Sequence, residues 1–567
     1  MKSLSRSRKT RAALATCLLV LVARVAAAQS GTVISAKPGQ RTALPMPAAE
    51  ADGIHISLER AVAIALAANQ DLNVTVNAAE ASQFFLFQNM GIYDPLTSAS
   101  LSRAHQDLPA SSQLSGAKVQ TADTVDGNAQ ITQLTPLGGH FTLGFAVNRT
   151  NTNSTFSTVN PSYTAGLTLS GSQPLLRNFG KLATNILIDT ARNTRDADYQ
   201  TFVRSVQTMI DAVEQAYWDL VYARANLVVK REAKGIATEL NRITKIKIDV
   251  GSLAPIDIVQ TEVGIATAEQ DIITAEAAVG LAEDQLRRLL NFEATAGGRT
   301  TIVPTDEIRS ERETYDVDLG MKSALERRPE ILAQNLQVAS QELRYQYWSN
   351  QVLPQLDLVG GYGRSGLGGT ALIRDPNTGQ VITEIQGGLN DALSDVFGKN
   401  FKNWRVGLVF SYPILNRSAR GARGVAKYNL ETDRARLTVL EQDIIVNVRT
   451  AHRAIETASR QIDAAAKARE LAERNLDAAR KKYDNGMTTS FEVSQIQVQL
   501  SDSQTRELNA LAIYRKAVSA YHSAVADILD WKGVRIEGIP ERDVTTPPAD
   551  IRALGIGPAP LEAAAAP

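Results

Sequence analysis

The residue types that most often carry catalysis or bind metals are scattered in this 567-residue sequence. The histidines show no paired spacing with one another or with the single cysteine, Cys17; they are His55, His105, His140, His452 and His522. Zinc sites need such spacing. The glycine-rich stretch GRSGLGGT, residues 363–370, lacks the Gly-Lys-Ser/Thr ending of a phosphate-binding loop and predicts an extracellular loop. With no nucleophile, base and acid set either, the sequence predicts no enzyme, no cofactor and no metal site.

The first 28 residues have the pattern of a secretory signal peptide. Basic residues from Lys2 to Arg11 precede an apolar run that ends at Ala23, and small residues continue to Ala28. We therefore expect export, with cleavage after Ala28. Because Cys17 lies in this segment, the mature chain contains no cysteine and forms no disulfide.

The net charge argues against one class of partner. The chain has 60 basic and 60 acidic residues, and residues 1–28 hold six of the basic and none of the acidic ones, which leaves 54 against 60, a net charge of −6. A nucleic-acid partner is therefore not expected.

The chain divides into a linker, a long helical and strand region, and a tail. Residues 29–53 and 534–567 are rich in Pro, Gly and Ala without periodicity, and predict an N-terminal linker and a disordered C-terminal tail. No proline occurs from Leu175 to Ala254 or from Ile414 to Ile539. One helix over residues 184–247 would be about 95 Å long, so these helices must pack along their length against other long helices.

A seven-residue repeat predicts how these helices pack. The apolar members are Ile258, Ile265, Ile272, Val279 and Leu286, and the acidic members are Glu262, Glu269, Glu276 and Glu283. Such a repeat implies a left-handed coiled coil with the apolar stripe as its core. A second stripe comprises Val493, Leu500, Tyr514, Tyr521 and Ile528, and Glu507 interrupts it.

The sequence is internally duplicated. KIDVGSLAPIDIVQ, residues 247–260, matches KYDNGMTTSFEVSQ, residues 482–495, and residues 59–102 align without gaps with those 259 positions later. We therefore expect two repeats, over residues 54–300 and 301–533. Each has a helix, two strands and a helical hairpin, and the hairpins cover residues 184–291 and 425–530.

The predicted strands alternate between apolar and small or polar residues. They cover about 96–106, 163–173, 354–363 and 404–413; in the last, Trp404, Val406, Leu408 and Phe410 share one face. Transmembrane β-barrel strands have this pattern, with the apolar face toward lipid. A soluble antiparallel sheet with one wet face has it too, but export and the long coiled coils favour the barrel.

A further alternating segment lies between the first two strands. Residues 128–150 contain the turn residues Pro136-Leu137-Gly138-Gly139 and predict an additional hairpin. This hairpin either folds over the extracellular mouth or adds two strands per protomer to the barrel.

Several motifs together resemble the TolC-type outer-membrane efflux family. They are ISLERAVAIALAANQDL, SGSQPLLRNFG, VEQAYWDLVYA, VGSLAPIDIVQTEV, RRPEI, SYPIL and YDNGMTTSFEV. The resemblance covers residues 57–532, in both repeats and in the family's order.

This resemblance implies a mixed α and β fold and a homotrimer. Four strands per protomer, with the extra hairpin as a possible addition, would form a twelve-stranded barrel in outer-membrane lipid, continuous with a periplasmic α-helical coiled-coil barrel. The implied function is an export duct of a tripartite efflux pump or of type I secretion. Its implied partners are a periplasmic adaptor (membrane fusion) protein and an inner-membrane transporter, and the sequence identifies neither the substrate nor the pump class.

The resemblance also assigns roles at the hairpin ends. Asp257 and Tyr483 match the latch of the closed periplasmic gate, Thr488 stands where the family often has Arg, and of two acidic ring positions Glu492 matches while Gln495 does not. Asp257 and Glu492 are equally well explained as carboxylates favoured at helix starts.

The turns themselves are the implied adaptor-docking tips. Gly251 and Gly486 are expected to adopt positive φ, and Leu253 and Met487 to be exposed apolar side chains. Two other function classes remain: a periplasmic coiled-coil scaffold or surface adhesin, which leaves the amphipathic strands unexplained, and an envelope hydrolase, for which the sequence offers no catalytic set.

Overall fold

The computed structural model of the chain describes residues 33–35, 53–109, 118–292, 301–308, 312–375, 380–398 and 401–537. The predicted signal peptide lies outside the described residues, as do most of the predicted linker and tail. Two compact units are present, and helices with residues in both connect them along the chain.

The described helices are α1 Leu58–Ala68, α2 Gln70–Met90, α3 Lys181–Asp249, α4 Asp257–Leu290, α5 Val317–Arg327, α6 Pro329–Gln351, α7 Leu389–Gly398, α8 Arg417–Asp484, α9 Ser490–Val525 and α10 Ile528–Trp531. The described strands are β1 Val33–Ser35, β2 Ile54–Ile56, β3 Leu96–Pro109, β4 Val119–Leu134, β5 His140–Thr152, β6 Val159–Pro174, β7 Ile302–Pro304, β8 Gln355–Arg374, β9 Val381–Ile385, β10 Phe401–Ser411 and β11 Arg535–Glu537. Helix α7 and strand β9 lie outside the predicted helices and strands. No described helix is long and apolar enough to cross a membrane.

The same capping chemistry starts the first helix of each half. Ser57 caps α1 by accepting from the backbone N–H of Arg60. Asp316, which is 259 positions later, caps α5 by accepting from the N–H groups of Asp318 and Leu319. Because a side-chain oxygen satisfies N–H groups that the helix leaves unpaired, both helices begin at equivalent positions.

The first unit comprises the described parts of Met1–Ala81, Asp196–Asn335 and Arg436–Pro567. Its core includes a short parallel pair of β2 with β7. The Tyr217 hydroxyl lies 2.6 Å from Asp306 Oδ2 and 3.1 Å from the Ile56 carbonyl oxygen, so it links helix α3 to both strands. Burial and the Asp306 carboxylate raise the pKa of Tyr217, which keeps this hydroxyl a neutral donor.

The predicted linker and tail contribute strands that the sequence did not predict. Val33–Ser35 and Arg535–Glu537 pair in parallel as β1 and β11. These few residues were predicted to lack regular structure because they show no periodicity. Strand pairing through backbone hydrogen bonds does not require a side-chain pattern, which explains the difference.

The apolar stripes predicted for the long helices are buried most fully in the second half of the chain. All five apolar members of its stripe are buried, whereas in the first hairpin Leu286 is fully buried and the members nearer the turn are partly exposed in one chain. The repeating glutamates form ion pairs between α3 and α4, of which Lys234–Glu269 at 2.9 Å and Arg231–Glu276 at 3.0 Å are examples. Glu507, which interrupts the second stripe, pairs with Arg469. The charges that accompany the stripes therefore hold neighbouring helices in register.

The second unit comprises Ser82–Arg195 and Leu336–Ala435 and contains one antiparallel sheet. The strand order is β10-β8-β6-β5-β4-β3, and β9 pairs with β8 off this path. The additional hairpin is β4 and β5, and it lies within the sheet between β3 and β6. The described sheet thus has six strands on its main path, where the sequence predicted four and left the place of the hairpin open.

The two faces of the sheet differ in polarity, in rows of paired residues that run from edge strand β3 to edge strand β10. Directly paired residues lie on the same face. One row of paired residues is largely apolar and comprises Thr97, Ile131, Leu143, Leu169, Tyr362 and Trp404. The neighbouring row is small and polar and comprises Ser98, Gln130, Gly144, Thr168, Gly363 and Asn403. In these two rows, the alternation predicted for single strands therefore continues across all six.

Helix α7 packs on the apolar face of β6 and β8. Ala392 and Val396 are buried there against Ala165. A Cβ atom added to Gly366 would lie 1.9 Å from the Ala392 carbonyl oxygen, so only glycine permits this approach. The extracellular loop predicted for residues 363–370 is therefore wrong: these residues belong to strand β8, and their glycines make room for a helix.

Candidate functional site

The two helical hairpins end in turns with the same hydrogen-bond pattern. In the first, Ser252 N donates to the Lys247 carbonyl oxygen at 2.7 Å and Gly251 N to that of Ile248 at 2.8 Å. In the second, Met487 N donates to Lys482 at 2.8 Å and Gly486 N to Tyr483 at 3.1 Å. Both are Schellman motifs, which satisfy the last carbonyl groups of a helix. The duplicated turn sequence therefore folds into the same turn twice.

Gly251 and Gly486 adopt positive φ, as predicted, at +78° and +71°. Nothing lies within 4 Å of a Cβ atom added at either position. The requirement for glycine is therefore set by the backbone conformation alone, which costs other residues roughly 1–2 kcal/mol.

Tyr483 lies between the ends of the two hairpins. Its side chain is 2% exposed, and its hydroxyl lies 2.7 Å from Thr244 Oγ1 on α3. Lys247 Nζ lies 4.0 Å from the centroid of its ring and donates to its carbonyl oxygen. Burial raises the pKa of Tyr483, and the charges of Asp257 and Asp484 raise it further, while the hydrogen bond with Thr244 opposes them. The hydroxyl is therefore a neutral hydrogen-bond partner at physiological pH.

Thr244 and Lys247 were not among the predicted gate residues. They lie three residues apart, which is the spacing of side chains that share one face of α3. That spacing was visible in the sequence, but the partner on α8 was not. Within one chain the Tyr483 hydroxyl is bonded to Thr244, and Asp257, the first residue of α4, acts on Tyr483 through its charge.

Thr488, Glu492 and Gln495 lie at the start of α9. Thr488 Oγ1 donates to Glu492 Oε2 at 2.5 Å, and Thr489 caps the helix by accepting from Glu492 N. Glu492 and Gln495 are both exposed. Since Glu492 is in the first turn, the favourable interaction with the helix dipole accounts for part of its presence there.

The turns expose apolar side chains, though not all of those predicted. Met487 is 71% exposed, as expected. The prediction that Leu253 is exposed is wrong. Leu253 is partly buried, because it packs against the cluster of buried residues that includes Leu240, Tyr483 and Val493. Val250 and Ile256, which the sequence analysis did not single out, are each 69% exposed.

The side chains at this site can make non-covalent contacts between the two hairpin ends. Hydroxyl groups, one buried ring and a few charges hold two hairpin ends together, and exposed apolar side chains surround them. Among the described residues no three His, Cys, Asp or Glu side chains are grouped to hold a metal ion.

Long helical hairpins and an antiparallel sheet with one apolar and one polar face are the elements of an outer-membrane export channel. The sequence profile of the family described as "Outer membrane efflux protein" matches residues 140–291 and 320–524, more than half of the chain. The chain therefore belongs to the outer membrane efflux protein family. It is an outer-membrane efflux channel with a periplasmic helical portion, and its family is one of transport ducts.

Solved structures share the fold. The CmeC outer membrane channel of Campylobacter jejuni is 18% identical, with a TM-score of 0.58 over 83% of this chain and 86% of that one. The outer membrane protein VceC of Vibrio cholerae is 14% identical, with a TM-score of 0.57 over 82% and 95%. The open state of the MtrE outer membrane channel of Neisseria gonorrhoeae is 15% identical, with a TM-score of 0.54 over 86% and 97%. A comparison with curated proteins gave no significant match.

Proposed function

We propose that three copies of this chain form one export channel, whose wall in the outer membrane is a β-barrel to which each copy contributes strands of its antiparallel sheet. The observation that carries this proposal is the sheet with an apolar face and a polar face that run from β3 to β10. In lipid, unpaired strand edges are costly, so β3 and β10 need partners that another copy supplies.

The hairpin ends form the periplasmic gate in this proposal. Asp257, Tyr483, Thr488, Glu492 and Gln495 surround the narrow end, and the Thr244–Tyr483 contact holds the two hairpins of each copy together. Threefold symmetry repeats every such contact, so small energies add up to a substantial bias toward the closed state.

The turns are the proposed docking site for a periplasmic adaptor protein, which couples the channel to an inner-membrane pump. The exposed side chains of Val250, Ile256 and Met487 support this role, since apolar groups at a turn are otherwise unfavourable in water. Gly251 and Gly486 shape the turns, and Leu253 anchors the first turn to the core beneath it.

The test is purification and reconstitution. The detergent-solubilised protein should have the mass of a trimer, and it should give discrete single-channel currents in planar lipid bilayers. A monomer that inserts without conducting would rule out the proposal and favour a scaffold.

A further inference from the structure

The additional hairpin, β4 and β5, is paired on both of its sides. Along its outer sides, β4 pairs with β3 from Leu96↔Thr132 to Pro109↔Val119, and β5 pairs with β6 from His140↔Ser172 to Thr150↔Ser162. Between them, β4 and β5 pair from Ala122↔Thr152 to Leu134↔His140. The hairpin therefore separates β3 from β6 along its whole length.

The side chains of the hairpin continue both faces of the sheet. On the apolar face, Ile131 and Leu143 lie between Thr97 and Leu169. The side chains of Ile131 and Leu143 are each nearly half exposed. On the polar face, the hydroxyls of Thr132 and Thr142 lie 3.2 Å apart, within hydrogen-bond distance. A hairpin folded over the mouth of a barrel would have no reason to keep an exposed apolar face in register with its neighbours.

The turn of the hairpin is also held in place. Gly138 N donates to the Thr135 carbonyl oxygen at 2.9 Å, and Gly180 N donates to that of Leu137 at 3.2 Å. A Cβ atom added at Gly138 would lie 2.4 Å from the Asn178 carbonyl oxygen. This turn therefore packs against the segment that leads from β6 into α3, at the helix end of the strands.

We infer that the shared barrel of this channel contains eighteen strands, with β4 and β5 of each copy in its wall. This inference rests on the proposed trimer. Six is an even number, so β3 and β10 run in opposite directions, and the β3 edge of one copy meets the β10 edge of the next as an antiparallel pair. Closure by three copies therefore needs no further strand.

The added strands change the size of the opening. For strands about 4.8 Å apart and tilted by about 40°, the backbone diameter rises from about 24 Å with twelve strands to about 36 Å with eighteen. The enclosed area rises about twofold. The polar row that the hairpin adds includes Asn128, Gln130 and Asn148, so the wider opening is lined by mostly neutral polar groups that suit bulky hydrated cargo.

Cysteine pairs test this arrangement in native outer membranes, because the sequence contains no cysteine after Cys17. Ser98→Cys with Gln130→Cys joins β3 to β4, and Gly144→Cys with Thr168→Cys joins β5 to β6; both pairs are directly opposite in the sheet. The matched control, Ser98→Cys with Thr168→Cys, spans three strand spacings, about 14 Å, which is beyond disulfide reach. We expect nearly complete disulfide formation in the first two and none in the control, whereas the reverse result would overturn the inference.

A strand count by electron cryomicroscopy of the full-length protein separates this inference from the proposal on which it rests. We expect a trimer whose barrel has eighteen strands. A trimer with a twelve-stranded barrel and β4–β5 outside the wall would overturn the inference and leave the channel proposal intact. An assembly whose copies share no barrel would overturn both.

Discussion

The hydroxyl of Tyr483 lies 2.7 Å from that of Thr244, and this hydrogen bond joins the ends of the two helical hairpins although the two residues are 239 positions apart in the sequence. Lys247 lies over the same ring and binds the Tyr483 backbone. The opening of a gate at this end must therefore either break this contact or move both hairpins together.

Removal of this contact should favour opening. Tyr483→Phe and Thr244→Val each delete one hydrogen bond worth ~1 kcal/mol, which shifts the closed-to-open ratio about fivefold per copy if the contact breaks on opening. Both variants should raise the mean single-channel current, and the double variant should equal either single one, since all three remove the same bond. Thr238→Val is the matched control, because the Thr238 hydroxyl donates to the Lys234 carbonyl oxygen within its own helix. Additive effects in the double variant would show that the two residues act separately.

A positive charge at position 488 should strengthen the closed state. Thr488 contacts Glu492, and an arginine there reaches this carboxylate or the Asp257 carboxylate of a neighbouring hairpin. We expect Thr488→Arg to conduct less than the wild type, and Thr488→Gln, which has similar bulk and no charge, to conduct nearly as the wild type does. Equal or larger currents for Thr488→Arg would mean that the family's latch does not operate here.

Ion selectivity should follow the charge at the start of α9. In the proposed trimer, three copies of Glu492 would place three negative charges around one axis, which favours cations. Reversal potentials in a salt gradient should show lower cation preference for Glu492→Gln and higher preference for Gln495→Glu, which adds a second carboxylate. If neither substitution moves the reversal potential, these residues do not line the ion path.

Substitutions of apolar residues in the two turns should distinguish a loss of adaptor docking from a loss of stability. Met487→Asp changes an exposed side chain, so thermal stability should be retained while adaptor crosslinking and efflux are lost. Leu253→Asp places a charge in a packed cluster and should cost ~2 kcal/mol of stability. Met487→Leu is the control that keeps the apolar surface and should export normally. Full efflux by Met487→Asp would exclude this turn as a docking site.

The stability of the helical unit should depend on pH through Asp211. Burial raises its pKa, against the opposing effect of hydrogen bonds from Ser519 and Gln215 and the charge of Arg204. The folded carboxyl group thus holds its proton more tightly than the unfolded one, so the free energy of unfolding falls as pH rises from about 4 through the folded pKa. Urea unfolding of Asp211→Asn should show a smaller fall than the wild type between pH 4 and pH 7. The slope should not vanish, because burial also raises the pKa of Glu214. Parallel curves would contradict this role of Asp211.

The periodic spacing of apolar residues predicted the long helices and strands. It gave little information on features that have no such spacing. The stripe from Val493 to Ile528 and the alternation around Trp404 each reflect one buried or apolar face, so sequence alone located those elements. Helix α7 was missed because its ten residues offer fewer than three turns of pattern. The Thr244–Tyr483 contact was missed because one threonine and one tyrosine carry no signal of proximity until the hairpins are placed side by side.

In the proposed channel, the polar face of the sheet lines a conducting pore. Thr168 and Leu169 are consecutive residues of β6, and their side chains lie on the polar and apolar faces, respectively. In planar bilayers, a bulky charged thiol reagent should reduce the current through channels with Thr168→Cys, and it should leave channels with Leu169→Cys unchanged, since that side chain faces lipid. Reduction of the current at Leu169→Cys but not at Thr168→Cys, or equally at both, would contradict the account.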